Sequence, residues 1–402
     1  MRIDEPEAGA LQHVQYLCRG RHLMHAAALQ RLSTAFEAAI AARRLPGAVL
    51  YIAQHGETRC FDALGWQDAV AGLPVRRDSI FRIYSMTKPI VSLAALMLVE
   101  EGRLMLGDPV ARYLPEFGTQ QVAVQRGDTL VLEPVLRGMT VQDLLRHTSG
   151  LTYEFLGSDP VQLQYRAADV ASRARSNRDM CRLLATLPLA RQPGLAWLYS
   201  RSTDVLGAVL EVVSGLTLGE LLRQRIFEPL GMHDTGFHVP IDQQHRIAEA
   251  FATDPDSGAV VNLIDVRDVP AGESGGGGLV STAADYARFL QLMLNRGQLD
   301  GARLVSRKTI EWMTSDHLGR IAIEGDLLAP GHGFGLGVAV RTASGLAPTP
   351  GSVGMYHWSG IGGTTFFVDP QEELFAILLA QAPGQRVYYR NLFRNMVYAA
   401  LD

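Results

Sequence analysis

Tyr84-Ser85-Met86-Thr87-Lys88-Pro89 is the stretch on which the reading of this chain turns. The 402 residues include only two lysines, Lys88 and Lys308, so nearly all of the 37 positive residues are arginine. A chain that gives its ordinary cationic work to arginine has kept a lysine three residues after a serine. Arginine stays charged in proteins, whereas a desolvated lysine loses its proton near neutral pH and acts as a base. An SxxK spacing arises easily by chance, so it needs partners elsewhere in the chain.

Working outward, Ile90 to Glu101 is apolar nearly all round and ends at Gly102, the pattern of a buried helix. Pro89 fixes where that helix begins, because proline is tolerated only in the first turn. Ser85 is therefore expected at the helix start, with Lys88 on the same face. Upstream, Leu29, Leu32, Phe36 and Ile40 mark an amphipathic helix over residues 26 to 43. Strands follow at 48 to 53 and 58 to 64, joined by a turn at His55-Gly56.

Downstream, Thr140 and Asp143 form a capping box ahead of Leu144-Leu145-Arg146-His147-Thr148-Ser149-Gly150-Leu151, and His147 is read as a dipole-stabilised cap. Buried helices are expected near Val205 to Val213 and Leu218 to Phe227, and another after a flexible glycine loop at Gly275 to Gly278. Gly331, Gly333, Gly335 and Gly337 alternate as on one face of a strand. Strands at 364 to 368 and 374 to 380 and a closing helix from Leu392 to Ala400 complete the pattern. Both ends supply helix and antiparallel strand, while the centre supplies helices. The expected architecture is α+β: residues 1 to 25 a poorly ordered leader, 26 to 84 with 300 to 402 a domain with an antiparallel sheet, and 85 to 299 a mainly helical domain. The site would lie in the cleft between them.

Composition narrows the function. A net charge of −4 offers no basic stripe for nucleic acid or an anionic membrane, and no apolar run is long enough to span a bilayer. Cys18, Cys60 and Cys181 are an odd, scattered set that reads as free thiols in a reducing compartment. The first residues lack the pattern of a secretory signal, so a cytoplasmic location is expected. His13, His22 and His25 near Cys18 read as solvated leader, and no metal is implied.

A serine hydroxyl needs a base to take its proton and donors to stabilise the oxyanion that follows. Lys88 supplies the base, and the free N–H of Ser85 at a helix start supplies a donor. Tyr199, in Trp197-Leu198-Tyr199-Ser200, is a candidate second base. Tyr356-His357-Trp358-Ser359-Gly360-Ile361-Gly362-Gly363 opens a strand with glycines that permit close backbone approach to a ligand.

Ser85-Met86-Thr87-Lys88, Tyr199-Ser200 and His357-Trp358-Ser359-Gly360, in that order, resemble the serine β-lactamase and penicillin-binding protein superfamily. The likeness covers about residues 30 to 400 and is closest to the class C β-lactamase-like carboxylesterases called family VIII. The resemblance implies Ser85 as acylated nucleophile, Lys88 and Tyr199 as the base pair, and the N–H groups of Ser85 and Ile361 as the oxyanion hole. Trp358, Ser359, Gly360 and Tyr153 would contact substrate, and no cofactor is implied. Two departures matter: Arg201 stands where lactamases carry asparagine, and Trp358-Ser359-Gly360 replaces KTG. The lost lysine would pair with a β-lactam carboxylate, and an indole cannot. The expected activity is therefore hydrolysis of neutral, short-chain esters, with an acyltransferase or a weak β-lactamase as alternatives within the superfamily.

Two further readings compete. Gly272-Glu273-Ser274-Gly275-Gly276 fits GxSxG, the nucleophile elbow of α/β-hydrolases, with Asp285, His317, His332 and His357 following. That motif requires a strand before it and a helix directly after, and neither pattern is present. A non-catalytic binding or self-assembling member of the fold is the other, opposed by the intact Ser85, Lys88 and Tyr199.

Overall fold

The computed structural model describes residues 24–127 and 129–402; His13, Cys18 and His22 lie outside them. Helix α1 (Ala26–Ala41) buries Leu32, Phe36 and Ala39, spaced as one helical stripe. Strands β1 (Gly47–Gln54) and β2 (Glu57–Asp68) form a hairpin, and β3 (Leu73–Pro74) pairs with β2. The turn residues His55 and Gly56 have φ of 56° and 76°, the left-handed pair that lets a two-residue hairpin follow the sheet's twist.

Five later strands complete one sheet: β4 (His332–Phe334), β5 (Ala339–Arg341), β6 (Tyr356–Ser359), β7 (Thr365–Asp369) and β8 (Leu374–Ala380). The order is β4-β5-β6-β7-β8-β1-β2-β3, and every neighbouring pair is antiparallel. The centre is the β1–β8 pair, in register from Ala48↔Ala380 to Gln54↔Leu374. N-terminal and C-terminal segments thus meet as central strands, as the pattern at the two ends implied.

Side chains alternate across this pair. Leu50, Ile52, Ala376 and Leu378 pack with α1 and with the last helix, α5 (Arg386–Tyr398), through Phe36, Phe393 and Val397. Val49, Ile377 and Leu379 join the larger core on the opposite face, with the helices of the middle of the chain. Those include α2 (Thr87–Glu100), α3 (Ser202–Ser214) and α4 (Ala283–Leu294). Helix α2 is buried from Thr87 through Leu98, as an apolar helix must be.

Several local expectations are corrected. The middle of the chain also holds a hairpin, Gln121–Arg126 with Thr129–Pro134. The alternating glycines do not share one strand face: β4 holds only Gly333, and Gly337 turns with φ of 95° where a Cβ would strike Ser92 Oγ. Gly275 to Gly278 is a packed loop; a Cβ on Gly275 would lie 2.5 Å from the Thr203 carbonyl oxygen. The short helix Val141–Leu145 has its capping box, but His147 is fully buried. Burial, then the nearby Lys88, holds its imidazole well below its usual pKa. It is a neutral side chain, so the charged-cap reading fails.

Among the described residues, no single helix is long and apolar enough to cross a membrane; one bent pair, α3 with Leu218–Leu230, meets the length and composition criterion jointly. No group of three or more His, Cys, Asp or Glu among these residues could hold a metal ion.

Candidate active site

Ser85 sits in a single turn of 3-10 helix, Tyr84–Met86, that runs into α2. Tyr84 carries φ of 46°, an uncommon conformation for a residue with a side chain, and its hydroxyl accepts the Ile264 N–H at 3.1 Å. This anchored turn sets Ser85 at the wall of a cavity of about 690 Å³. Neither the Ser85 nor the Ile361 N–H donates to another group among the described residues. Both peptide donors are thus left for a ligand.

Three side chains converge on the serine. Tyr199 Oη donates to Ser85 Oγ at 2.7 Å, and Lys88 Nζ lies 3.2 Å from the same oxygen. Trp358 Nε1 donates to Tyr199 Oη at 3.3 Å. The indole therefore brings a neutral donor next to the tyrosine. Lys88 is fully buried, and its amine also reaches Tyr153 Oη at 3.0 Å and the Gly276 carbonyl at 2.6 Å.

Burial brings the Lys88 amine down from its usual value to about 7; the Asp204 carboxylate opposes that shift and Arg201 reinforces it. Burial pushes Tyr199 and Tyr153 the other way, above the ordinary phenol range. At neutral pH the tyrosines are protonated, and the lysine is the group poised to exchange a proton.

Tyr153 is more than the pocket wall the sequence suggested, because it bonds directly to Lys88. Trp358, Ser359 and Ile361 line the cavity. Gly360 does not: a Cβ there would sit 2.3 Å from the Ile83 carbonyl, so its role is close backbone packing against the segment leading to Ser85. Ser359 Oγ is also shared with Thr365 Oγ1 at 2.9 Å.

Sequence reading missed a carboxylate. Asp204, in the first turn of α3, accepts Ser274 Oγ–H at 2.5 Å and Gly276 N–H at 3.1 Å. It thereby holds the loop whose Gly276 carbonyl receives the lysine. Arg201 is turned into an ion pair with Glu154 at 2.5 Å and lies 3.7 Å from Asp204. The only available signal was the Tyr199-to-Asp204 spacing, which brings both to one helix start. Ser274 is spent on Asp204, with no strand before it and no helix directly after, so the nucleophile-elbow reading is overturned.

A serine flanked by a desolvated lysine and a tyrosine, on a cavity that Ile361 also lines, fits a serine enzyme of the β-lactamase fold, a hydrolase or an acyltransferase. Residues 32–400 match the family model described as Beta-lactamase, and the chain belongs to that family. Esterase EstB of Burkholderia gladioli is 34% identical, over 92% of this chain and 95% of that protein. Among solved structures, EstCE1, a hydrolase with promiscuous acyltransferase activity, superposes with a TM-score of 0.80 at 29% identity, covering 93% of this chain and 99% of its own. Simvastatin synthase LovD from Aspergillus terreus gives 0.75 at 25% identity, covering 92% and 98%.

Proposed function

We propose that this protein is a cytoplasmic serine carboxylesterase that hydrolyses neutral, short-chain esters through an acyl-Ser85 intermediate. The observation that carries the proposal is the placement of Ser85 Oγ within 2.7 Å of Tyr199 Oη and 3.2 Å of Lys88 Nζ, on a large cavity. A neutral amine keeps two N–H donors and one lone pair. With Gly276 O and Tyr153 Oη taking the donors, the lone pair is free to accept the Ser85 proton. Ser85 Oγ then attacks the ester carbonyl, and the Ser85 and Ile361 N–H groups receive the oxyanion. The proton taken up by Lys88 is returned to the departing alkoxide, with the Tyr199 phenol, bonded to both Ser85 and Trp358, donating at the same centre. Water repeats the sequence on the acyl-enzyme and releases the acid.

The preference for an uncharged ester rests on the neutral donor beside the Tyr199 hydroxyl: Trp358 stands there, and Lys88, the lysine near the Tyr199 ring, is bonded to Ser85, Tyr153 and Gly276. Phe155, Leu156, Phe237, Leu327 and Ile361 add apolar surface, while Arg173, Arg201, Arg386 and Arg390 also line the cavity. A panel of p-nitrophenyl esters of rising acyl length, beside a chromogenic cephalosporin, tests this. The expected result is a kcat/KM at least about 10³-fold higher for the best ester, the size of effect that a missing buried charge partner produces. Comparable turnover of the cephalosporin would reject the ester assignment. The cytoplasmic placement draws on Cys60 and Cys181, both free and buried.

An acyltransferase is the second reading, favoured by the likeness to EstCE1 and LovD. Product analysis with and without an alcohol acceptor separates the two, because transfer would yield a new ester where hydrolysis yields acid.

The lysine also sets a pH dependence. Lys88 must be neutral to accept the proton, and its pKa is about 7. Activity is therefore expected to rise with pH, with an acid limb in kcat/KM centred near 7. A profile flat from pH 5 to 9 would contradict Lys88 as the base.

A further inference from the structure

Arg386, Arg390 and Arg394 recur every fourth residue along α5, which places them on one face of the helix. Their hydrogen-bond partners are all uncharged. Arg386 reaches the Pro383 carbonyl, Arg390 the Gly360 carbonyl, and Arg394 the Thr349 hydroxyl at 3.4 Å. Two sheet histidines, His332 of β4 and His357 of β6, have their rings edge to face at 5.2 Å; His357 lines the same cavity as Arg386 and Arg390, and Arg394, whose guanidinium lies 5.5 Å from the Phe367 ring centroid, acts electrostatically on both histidines. Arg341 of β5 joins them, its guanidinium bonded to the Thr349 carbonyl at 2.9 Å and the Ala343 carbonyl at 3.3 Å.

Among the described residues no acid forms an ion pair with these arginines, although Asp326 lines the same cavity as Arg386 and Arg390. Asp369 at the end of β7 is taken up by the Tyr398 hydroxyl at 2.6 Å, the Ser352 N–H at 3.0 Å and the Gln371 N–H at 3.1 Å. Burial lowers Arg390 to about 9 and Arg394 to about 10, with other arginines adding to the effect and only tyrosines opposing it. Three buried nitrogens lack any hydrogen-bond partner: Arg390 Nε, His357 Nδ1 and His332 Nε2. His332 Nδ1 faces the Ala329 and Pro330 carbonyls, so its free Nε2 is a lone pair; Arg390 Nε and His357 Nδ1 can each present a hydrogen.

We propose that Arg390, Arg394 and His357 form a binding site for a small oxyanion of the phosphate, sulfate or carboxylate class. Half-buried cations with an unpaired N–H and no counter-charge are unfavourable, and guanidinium groups match oxyanions with paired N–H donors. The site is coupled to the reaction centre by position. His357 precedes Trp358, and Arg390 holds the carbonyl of Gly360, the residue before the Ile361 N–H. A bound oxyanion thus fixes the strand end that supplies an oxyanion-hole donor, and it would do so whether or not Ser85 is the nucleophile.

Thermal unfolding of the full chain, titrated with inorganic phosphate and separately with sulfate at low millimolar concentration, tests the proposal. At about 100-fold the dissociation constant, Tm is expected to rise by about 3 °C. Arg394→Met is expected to abolish the rise; if that variant does not fold, His357→Gln serves the same purpose. No rise with either anion overturns the site, and so does a rise that persists in the variant, which would be general salting. An ester ending in a carboxylate, compared with its neutral methyl ester, locates the source. A preference of about 10-fold that Arg394→Met removes places the oxyanion on the substrate, and equal rates place it free in solution.

Discussion

Lys88→Arg is expected to lose about 10³-fold or more of kcat/KM towards the best p-nitrophenyl ester, leaving it nearly as inactive as Ser85→Ala. The reason is chemical. Arginine keeps the positive charge and can still donate towards Gly276 and Tyr153, but it has no lone pair to offer the Ser85 proton. Lys88→Met, which keeps an unbranched apolar stem in this buried position, is expected to be equally inactive and separates loss of the base from overpacking by guanidinium. Steady-state kinetics, paired with circular dichroism to show that each variant is folded, provides the check. Retention of a tenth or more of the activity in either variant would contradict proton transfer to Lys88.

Asp143→Ala is expected to lower stability by about 3–5 kcal/mol. Its carboxylate is fully buried. It accepts from Arg137 at 2.6 and 3.0 Å, Arg146 at 3.2 Å, the Thr148 hydroxyl at 2.7 Å, and the Thr140 N–H and hydroxyl at 2.9 and 2.8 Å. Burial alone would raise its pKa, but Arg137 and the other donors outweigh it and hold the group at about 2. The folded pKa is depressed, so this stabilisation is complete above the unfolded value near 4 and fades as pH falls towards 2. Truncation strands the buried donors and unties the segment that supports Tyr199. There His147 Nδ1 lies 3.2 Å from Ser200 Oγ, and Ser149 Oγ lies 2.7 Å from Ser202 Oγ. Urea unfolding followed by fluorescence measures the change; a loss below about 1 kcal/mol would contradict this assignment of the anchor.

What the sequence made legible was whatever period and local chemistry determine. The apolar run of α2, the proline after Lys88, the β1–β2 turn and the β7 and β8 strands are read from neighbouring residues, and all appear in place. The spacing of Ser85 and Lys88 follows from one helical turn. What remained hidden depends on contacts between distant segments. Tyr153 meets Lys88 across 65 positions, and Asp204 meets Ser274 across 70. Nothing local distinguishes a tyrosine on a cavity wall from one bonded to the lysine. His147 shows the reverse problem: its place after a short helix suggested a dipole-stabilised cap, but packing against Tyr199, with ring centroids 4.7 Å apart, buries it as a neutral ring. The glycines from 331 to 337 were misread because close packing against residues such as Ser92 and Met313 imitates strand alternation.

The central claim is that Ser85 forms the acyl-enzyme. Peptide mapping by mass spectrometry after reaction with a fluorophosphonate tests it most directly, because the probe bonds covalently to an activated serine. The expected result is one stoichiometric adduct on Ser85, abolished in Ser85→Ala and strongly slowed in Lys88→Met. An adduct on Ser274 with Ser85 unmodified would contradict the account.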